Sequence, residues 1–248
     1  MIDFDELESG RTADALRGVR RREVEAGAVY RGWMLTADTY RLLYNGLSER
    51  GLRLRTAPAS YRRCHYFSGW CEALRPFAAD YRIVPADIAG DPDALISALA
   101  SFGGRSLVVK DEVKSVPGAD FIRDSRDAGE VSAVVAKLLD ECDGRPAGGI
   151  VFREALDFVR GGDRVAEVRS FVVGGEVVCA APRQSVDAGH PPGDWLRSVA
   201  DAVDSPFFTI DAAVTTDGQW RVVEIGDGQV SERPPRLDPT SIVRAIEA

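Results

Sequence analysis

The chain has 248 residues, enough to bury a sizeable core as one large domain or as two intimate lobes. Apolar residues make up 45% and charged residues 28%, an ordinary globular balance, and the net charge of −8 argues against nucleic acid as the partner. No apolar run approaches the length of a membrane span and the start, MIDFDELESG, is acidic, so a cytoplasmic protein without a signal peptide is expected.

Strands and helices alternate along the chain without internal repeats. Residues 28–35 (AVYRGWML) predict a strand. Thr36 then caps a helix carrying Leu42, Leu43 and Leu47, which stops near Gly51. Asp91-Pro92 places an N-cap before a proline at the first helical position, opening a helix that Gly103-Gly104 closes. SLVVK reads as a buried strand. EVSAVVAKLLDEC places Val131, Val134, Val135, Leu138 and Cys142 on one face of an amphipathic helix. GIVFREAL is a strand, EVRSFVVGGEVVCAAPR a hairpin around Gly174-Gly175, and Asp238-Pro239 starts a short C-terminal helix. The expected class is α/β (α+β) with substantial antiparallel sheet, divided at Gly103-Gly104 into residues 1–104 and 105–248.

Nucleophile and dinucleotide signatures are missing: there is no G-x-S-x-G, no Walker lysine loop and no G-x-G-x-x-G after a strand. Cys64, His65 and Cys71 leave a zinc site open, although the spacing matches no familiar ligand pattern and reduced cysteines are the simpler reading. The segment YRRCHYFSGW carries Arg62, Arg63 and His65 among aromatic rings. It reads either as core with locally satisfied polar groups or as a surface for an anionic substrate.

The chain has three lysines, and two of them, Lys110 and Lys114, stand four apart where a strand of Leu and Val runs into the loop KSVPGAD. They are either stray surface charges or a phosphate site, since a lysine at a strand end, with the amides of a loop containing Ser115, can hold phosphate oxygens.

The stretch FFTIDAAVTTDGQWRVVEIGDGQV reads as strand, turn, strand. With Asp217 and Gly218 as the central residues of a type I′ turn, facing positions set Asp211 directly across from Glu224. Two like charges so placed repel. Either basic residues such as Arg221 relieve them, or a hard cation such as Mg²⁺ sits between them. On that account, removing one acid relieves strain and leaves the fold intact.

Taken in order, these features resemble the ATP-grasp superfamily, over roughly residues 105–230. The resemblance implies two α+β lobes clamping Mg-ATP behind an N-terminal domain. It also implies a ligase that joins a carboxylate to an amine through an acyl phosphate. Lys110 matches the nucleotide-contacting lysine, and Lys114 and Ser115 lie in the phosphate-covering loop. Glu154 matches the hinge acid, with the Ala155 and Leu156 backbone beside adenine, and Glu167 the ribose-binding acid. Arg169 matches an arginine that meets phosphate, and Arg183 one near the reacting carboxylate. Asp211 and Glu224 match the magnesium ligands, and Arg62, Arg63 and His65 are candidates for the substrate side.

The family pattern departs at Gly226, where a magnesium-binding asparagine usually stands. Asp227 is the candidate replacement, provided the chain bends after Glu224, because alternation otherwise sends 227 to the opposite side. Gln229 or water is the other source. The implied partners are a small-molecule or peptide carboxylate and an amine acceptor. An ATP-dependent phosphotransferase and a catalytically inactive nucleotide-binding regulatory protein stay open as alternatives.

Overall fold

The computed structural model describes residues 1–113, 120–144, 146–183, 186 and 189–247. The N-terminal elements are α1 (Phe4–Glu8), α2 (Thr12–Ala15), β1 (Ala26–Ala28), α3 (Ala37–Ser48), β2 (Leu52–Leu54), α4 (Pro58–His65) and α5 (Phe67–Trp70). Thr36 caps α3 by accepting from the Thr39 amide at 3.1 Å. That helix buries Tyr40, Leu43 and Leu47 but leaves Leu42 exposed.

The strand expected over 28–35 is mostly loop: β1 ends at Ala28 and pairs in parallel with β2. The reason is local. The Tyr30 hydroxyl donates to the Trp33 carbonyl at 2.9 Å, folding RGWM back on itself. Gly32 lies so close to that ring that a Cβ there would meet the hydroxyl oxygen at 2.4 Å.

Next come β3 (Tyr81–Val84), α6 (Pro92–Leu99), β4 (Leu107–Asp111), β5 (Asp120–Ile122), α7 (Ala128–Glu141) and β6 (Ile150–Glu154). Asp91 caps α6 and Asp127 caps α7 through their carboxylates. The antiparallel sheet runs β3-β6-β4-β5. One face, with Leu107, Val109, Ile150 and Phe152, packs on Leu95, Leu99, Val131, Val135 and Leu138 of α6 and α7. Gly103 and Gly104 turn the chain with φ of 61° and 92°, but this turn falls inside the layer. β3 and α6 before it share a sheet and a core with β4, β6 and α7 after it.

The remaining elements are β7 (Arg160–Gly161), β8 (Arg164–Val165), β9 (Glu167–Val173), β10 (Glu176–Pro182), α8 (Gly193–Asp201), β11 (Phe207–Val214), β12 (Trp220–Asp227) and α9 (Thr240–Glu247). The larger sheet is antiparallel in the order β10-β9-β11-β12. Period-2 alternation gives it two distinct faces. Phe208, Ile210, Ala212 and Val172 pack on α5 and α8. The other face is apolar at one end, where Phe171, Val173 and Phe207 meet Leu237 and Ile242 of the α9 region. Its far end carries Glu167, Arg169 and Asp211. No helix among the described residues is long and apolar enough to cross a membrane.

The β11–β12 turn differs from the expected one. Thr215 and Gln219 close a three-residue loop: the Thr215 amide donates to the Gln219 carbonyl, and the Gly218 amide to the Thr215 carbonyl, both at 2.9 Å. Gly218 alone in the loop takes positive φ, 87°, which is the type I turn plus left-handed residue of a three-residue hairpin. Pairing near the turn is therefore offset by one, Ala212 facing Val222, until a bulge at Val223 restores Asp211 opposite Glu224. The bulge has a packing reason. Val222 and Ile225 both belong to the core, which strict alternation forbids for residues three apart.

Candidate active site

Three strands place one row of charge. Arg169 on β9 faces Asp211 on β11, which faces Glu224 on β12. Arg169 donates from Nε to Asp211 Oδ1 at 2.7 Å and from Nη2 to Oδ2 at 2.6 Å. Arg183, just after β10, donates from Nη1 to the same Oδ2 at 3.2 Å and to Glu167 Oε2 at 2.7 Å. Asp211 is thus neutralised by arginines carried on β9 and just after β10, and not by Arg221, which binds Gln219 and the Pro76 carbonyl.

Burial makes this row costly to leave half-made. Arg169 is 2% exposed and Asp211 1%. Burial alone would lower the Arg169 pKa, but the Asp211 hydrogen bonds and charge outweigh it and hold the guanidinium above its ordinary value. Glu167 moves up, first through burial and then through the like charge of Asp211, with Arg183 opposing.

Lys110 meets the Glu224 end of the row from the smaller sheet. On β4, Val109 and Asp111 point inward, so Lys110 takes the opposite face, beside Val151 and Arg153 of β6. Lys110, Arg153 and Glu224 line one narrow crevice between the sheets. Sequence reasoning misses Arg153, although its strand parity in IVFRE matches that of Val151 on the same face. Its Nη1 and Nη2 donate to the Val223 and Val222 carbonyls at 2.6 and 3.1 Å, so it grips the bulge next to Glu224. Burial lowers its pKa to about 10, which leaves it charged at neutral pH. Arg153→Ala should cost on the order of 1–3 kcal/mol by orphaning these carbonyls, and Arg153→Lys should recover part of it. Urea unfolding that left both variants at the wild-type midpoint would contradict this role.

The other expected residues divide. Glu154 accepts from Arg105 at 2.5 Å, and the Ala155 amide donates to the Ser106 carbonyl at 2.9 Å, so that amide is already engaged within the fold. Leu156 follows directly, half-buried. Lys114 and Ser115 lie outside the described residues. Arg62 stacks its guanidinium 4.9 Å from the Tyr66 ring, and Arg63 pairs with Asp204 at 2.8 Å. Of that segment, His65 reaches the site, lining both the crevice and a neighbouring cavity of about 570 Å³ that Arg169 and Arg183 also line. Cys64 and Cys71 are buried in the core.

Asp227 does not join Asp211 and Glu224. β12 continues unbent to Asp227, paired with Phe208, so alternation turns its carboxylate away. There it accepts from the Gln229 amide at 3.0 Å and from Gln229 Nε2 at 3.2 Å. Gln229 in turn accepts from the Tyr30 amide and donates to the Tyr40 hydroxyl, tying β12 to the N-terminal elements. At Gly226 a Cβ would meet Ser231 Oγ at 2.8 Å and Thr209 Oγ1 at 2.9 Å, so those hydroxyls fill the place of a longer side chain. Among the described residues no group of three His, Cys, Asp or Glu side chains could hold a metal ion. A cation at this row would find its protein oxygens on Asp211 and Glu224, with both Asp211 oxygens already accepting from Arg169, and phosphate and water would have to supply the rest.

A family model for an ATP-grasp domain, family 3 of its clade, matches residues 69–246, more than half of the chain. The fold resembles that of D-cycloserine synthetase DcsG at TM-score 0.60 and 18% identity, covering 99% of this chain and 93% of that one. It resembles the ADP complex of purK, N5-carboxyaminoimidazole ribonucleotide synthetase, at 0.62 and 13%, covering 94% and 59%. The ATP-grasp ligase PsnB, complexed with a phosphomimetic variant of its minimal precursor, Mg and ADP, aligns at 0.55 and 16%, covering 85% and 67%. The search of curated protein sequences found no match.

Proposed function

We propose that this chain, which belongs to the ATP-grasp domain family whose model it matches, is a ligase that joins a carboxylate to an amine with ATP. The observation that carries the reading is that Glu224, at the end of the Arg169–Asp211–Glu224 row, shares one crevice with Lys110 and Arg153. Acids for a cation and bases for phosphate oxygens converge there from two sheets, which is what phosphoryl transfer by positioning and electrostatics requires.

In this reading Lys110 and the segment containing Lys114 and Ser115 bind the phosphates of ATP. Glu154 and Leu156 flank adenine, and Glu167 meets the ribose. Magnesium held by Asp211 and Glu224 would neutralise phosphate charge when bound. Arg169 fixes the orientation of Asp211, and Arg183 orients the substrate carboxylate. A carboxylate oxygen forms a bond to the γ-phosphorus as the bond to the β-phosphate oxygen breaks, releasing ADP. The amine then attacks the acyl carbon, and inorganic phosphate leaves. Closure of the two sheets over the crevice keeps water from the acyl phosphate. A cytoplasmic location belongs to the same reading.

Two measurements test it. Lys110→Ala should weaken Mg-ATP binding about 10-fold or more by calorimetry, because a charge-assisted contact is lost. Turnover should yield ADP and phosphate, and hydroxylamine should trap a hydroxamate. AMP and pyrophosphate as products would sink the acyl-phosphate route.

A further inference from the structure

The cavity of about 570 Å³ beside the charged row has a side that the chemistry above does not use. Besides Arg169 and Arg183, it is walled by the apolar side chains of Trp33, Met34 and Val230. Trp33 is 76% exposed and Met34 39%, adjacent large apolar side chains left facing solvent at the mouth of a cavity. Loops can expose such residues through slackness, but this loop is pinned. The Trp33 carbonyl accepts from Tyr30, and the Tyr61 hydroxyl bonds both the amide and the carbonyl of Leu35 at 2.9 Å. Arg31 donates to the carbonyls of Gly228 and Gln229 at 3.0 and 2.7 Å, fastening the loop to the end of β12. The indole is therefore presented from a pinned backbone, and a ring so placed can stack a flat or apolar group. Glu232 lines the same cavity and adds an exposed carboxylate.

We propose that the carboxylate substrate is an amino acid with an apolar, preferably aromatic, side chain. Its carboxylate pairs with Arg183, its ammonium group with Glu232, and its side chain packs against Trp33 and Met34. The volume falls within the roughly 300–1,000 Å³ of small-ligand pockets. The inference rests on the ligase reading, which places the reacting carboxylate at Arg183.

The test is ADP release by the full chain with Mg-ATP and hydroxylamine, across phenylalanine, tryptophan, leucine, alanine, serine and aspartate in both enantiomers, with phenylpropionate as the acid lacking an ammonium group. Phenylalanine should exceed alanine in kcat/KM by about tenfold or more, the scale of discrimination an apolar pocket provides. Phenylpropionate should fall below phenylalanine. Trp33→Ala should erase most of the phenylalanine preference, Trp33→Phe should restore it, and the affinity for Mg-ATP should be the same in both. Acid-stimulated release that ignores side chain, or an unchanged preference in Trp33→Ala, would overturn the inference and leave the ligase reading standing. Mg-ATP binding without stimulation by any acid would overturn both.

Discussion

Asp211→Ala is expected to destabilise the protein by about 3–5 kcal/mol, because it leaves Arg169 as a buried charge without its partner. For a chain of this size that is roughly 6–20 °C in Tm. The mutual repulsion of Asp211 and Glu224 suggests the opposite result from sequence, a relief of strain. The structure reverses the sign, since both Asp211 oxygens accept from Arg169. Glu224→Ala is a cleaner probe of catalysis: Glu224 is only half-buried, so its loss should abolish magnesium-dependent turnover with a much smaller change in Tm. The pair Arg169→Met and Asp211→Leu should recover most of the stability lost in Asp211→Ala while remaining inactive. Calorimetry showing wild-type Tm for Asp211→Ala would remove the ion pair from the account of the fold.

Asp227→Asn should flatten a pH dependence that the wild type carries. Burial raises the Asp227 pKa from 3.8 to about 7, against the lowering effect of its Gln229 hydrogen bonds. The folded state therefore holds this proton more tightly than the unfolded chain does. Stability from this group is complete below about pH 4 and falls as pH rises through 7, by about 4 kcal/mol in total at 1.36 kcal/mol per pKa unit. Asparagine mimics the neutral acid, keeps an oxygen for Gln229, and adds a donor beside the buried Thr56 hydroxyl. The difference in unfolding free energy between Asp227→Asn and wild type should grow from pH 4 to pH 8. A constant difference across that range would show that Asp227 is ionised throughout.

Local signals in the sequence read well. Thr36 and Asp91 cap the helices that follow them, and Gly174-Gly175 turns a hairpin with φ of 60° and 88°. The Asp211–Glu224 pair is also legible, yet for an incomplete reason. The turn is one residue longer than Asp-Gly suggests, and the Val223 bulge compensates. Neither Arg169 opposite Asp211 nor Arg153 beneath the bulge can be read from the hairpin alone. Each depends on a strand far away in sequence, and non-local register leaves no mark in a local pattern. The loop at Trp33 misleads for a related reason: the apolar and aromatic residues of AVYRGWML say strand, while a tyrosine folding back on its own backbone decides otherwise.

The Val223 bulge also bears on self-association. β12 is the outermost strand of its sheet, and an unprotected outer strand is a template onto which another chain can add. Here that row of acceptors is partly taken. Arg153 forks onto the Val222 and Val223 carbonyls, Ala78 bridges Val222 in parallel, and α4 packs alongside the strand. A kinked border with its carbonyls already engaged offers no straight rail for a second copy, so the irregularity that aims Glu224 into the crevice also keeps the sheet from growing.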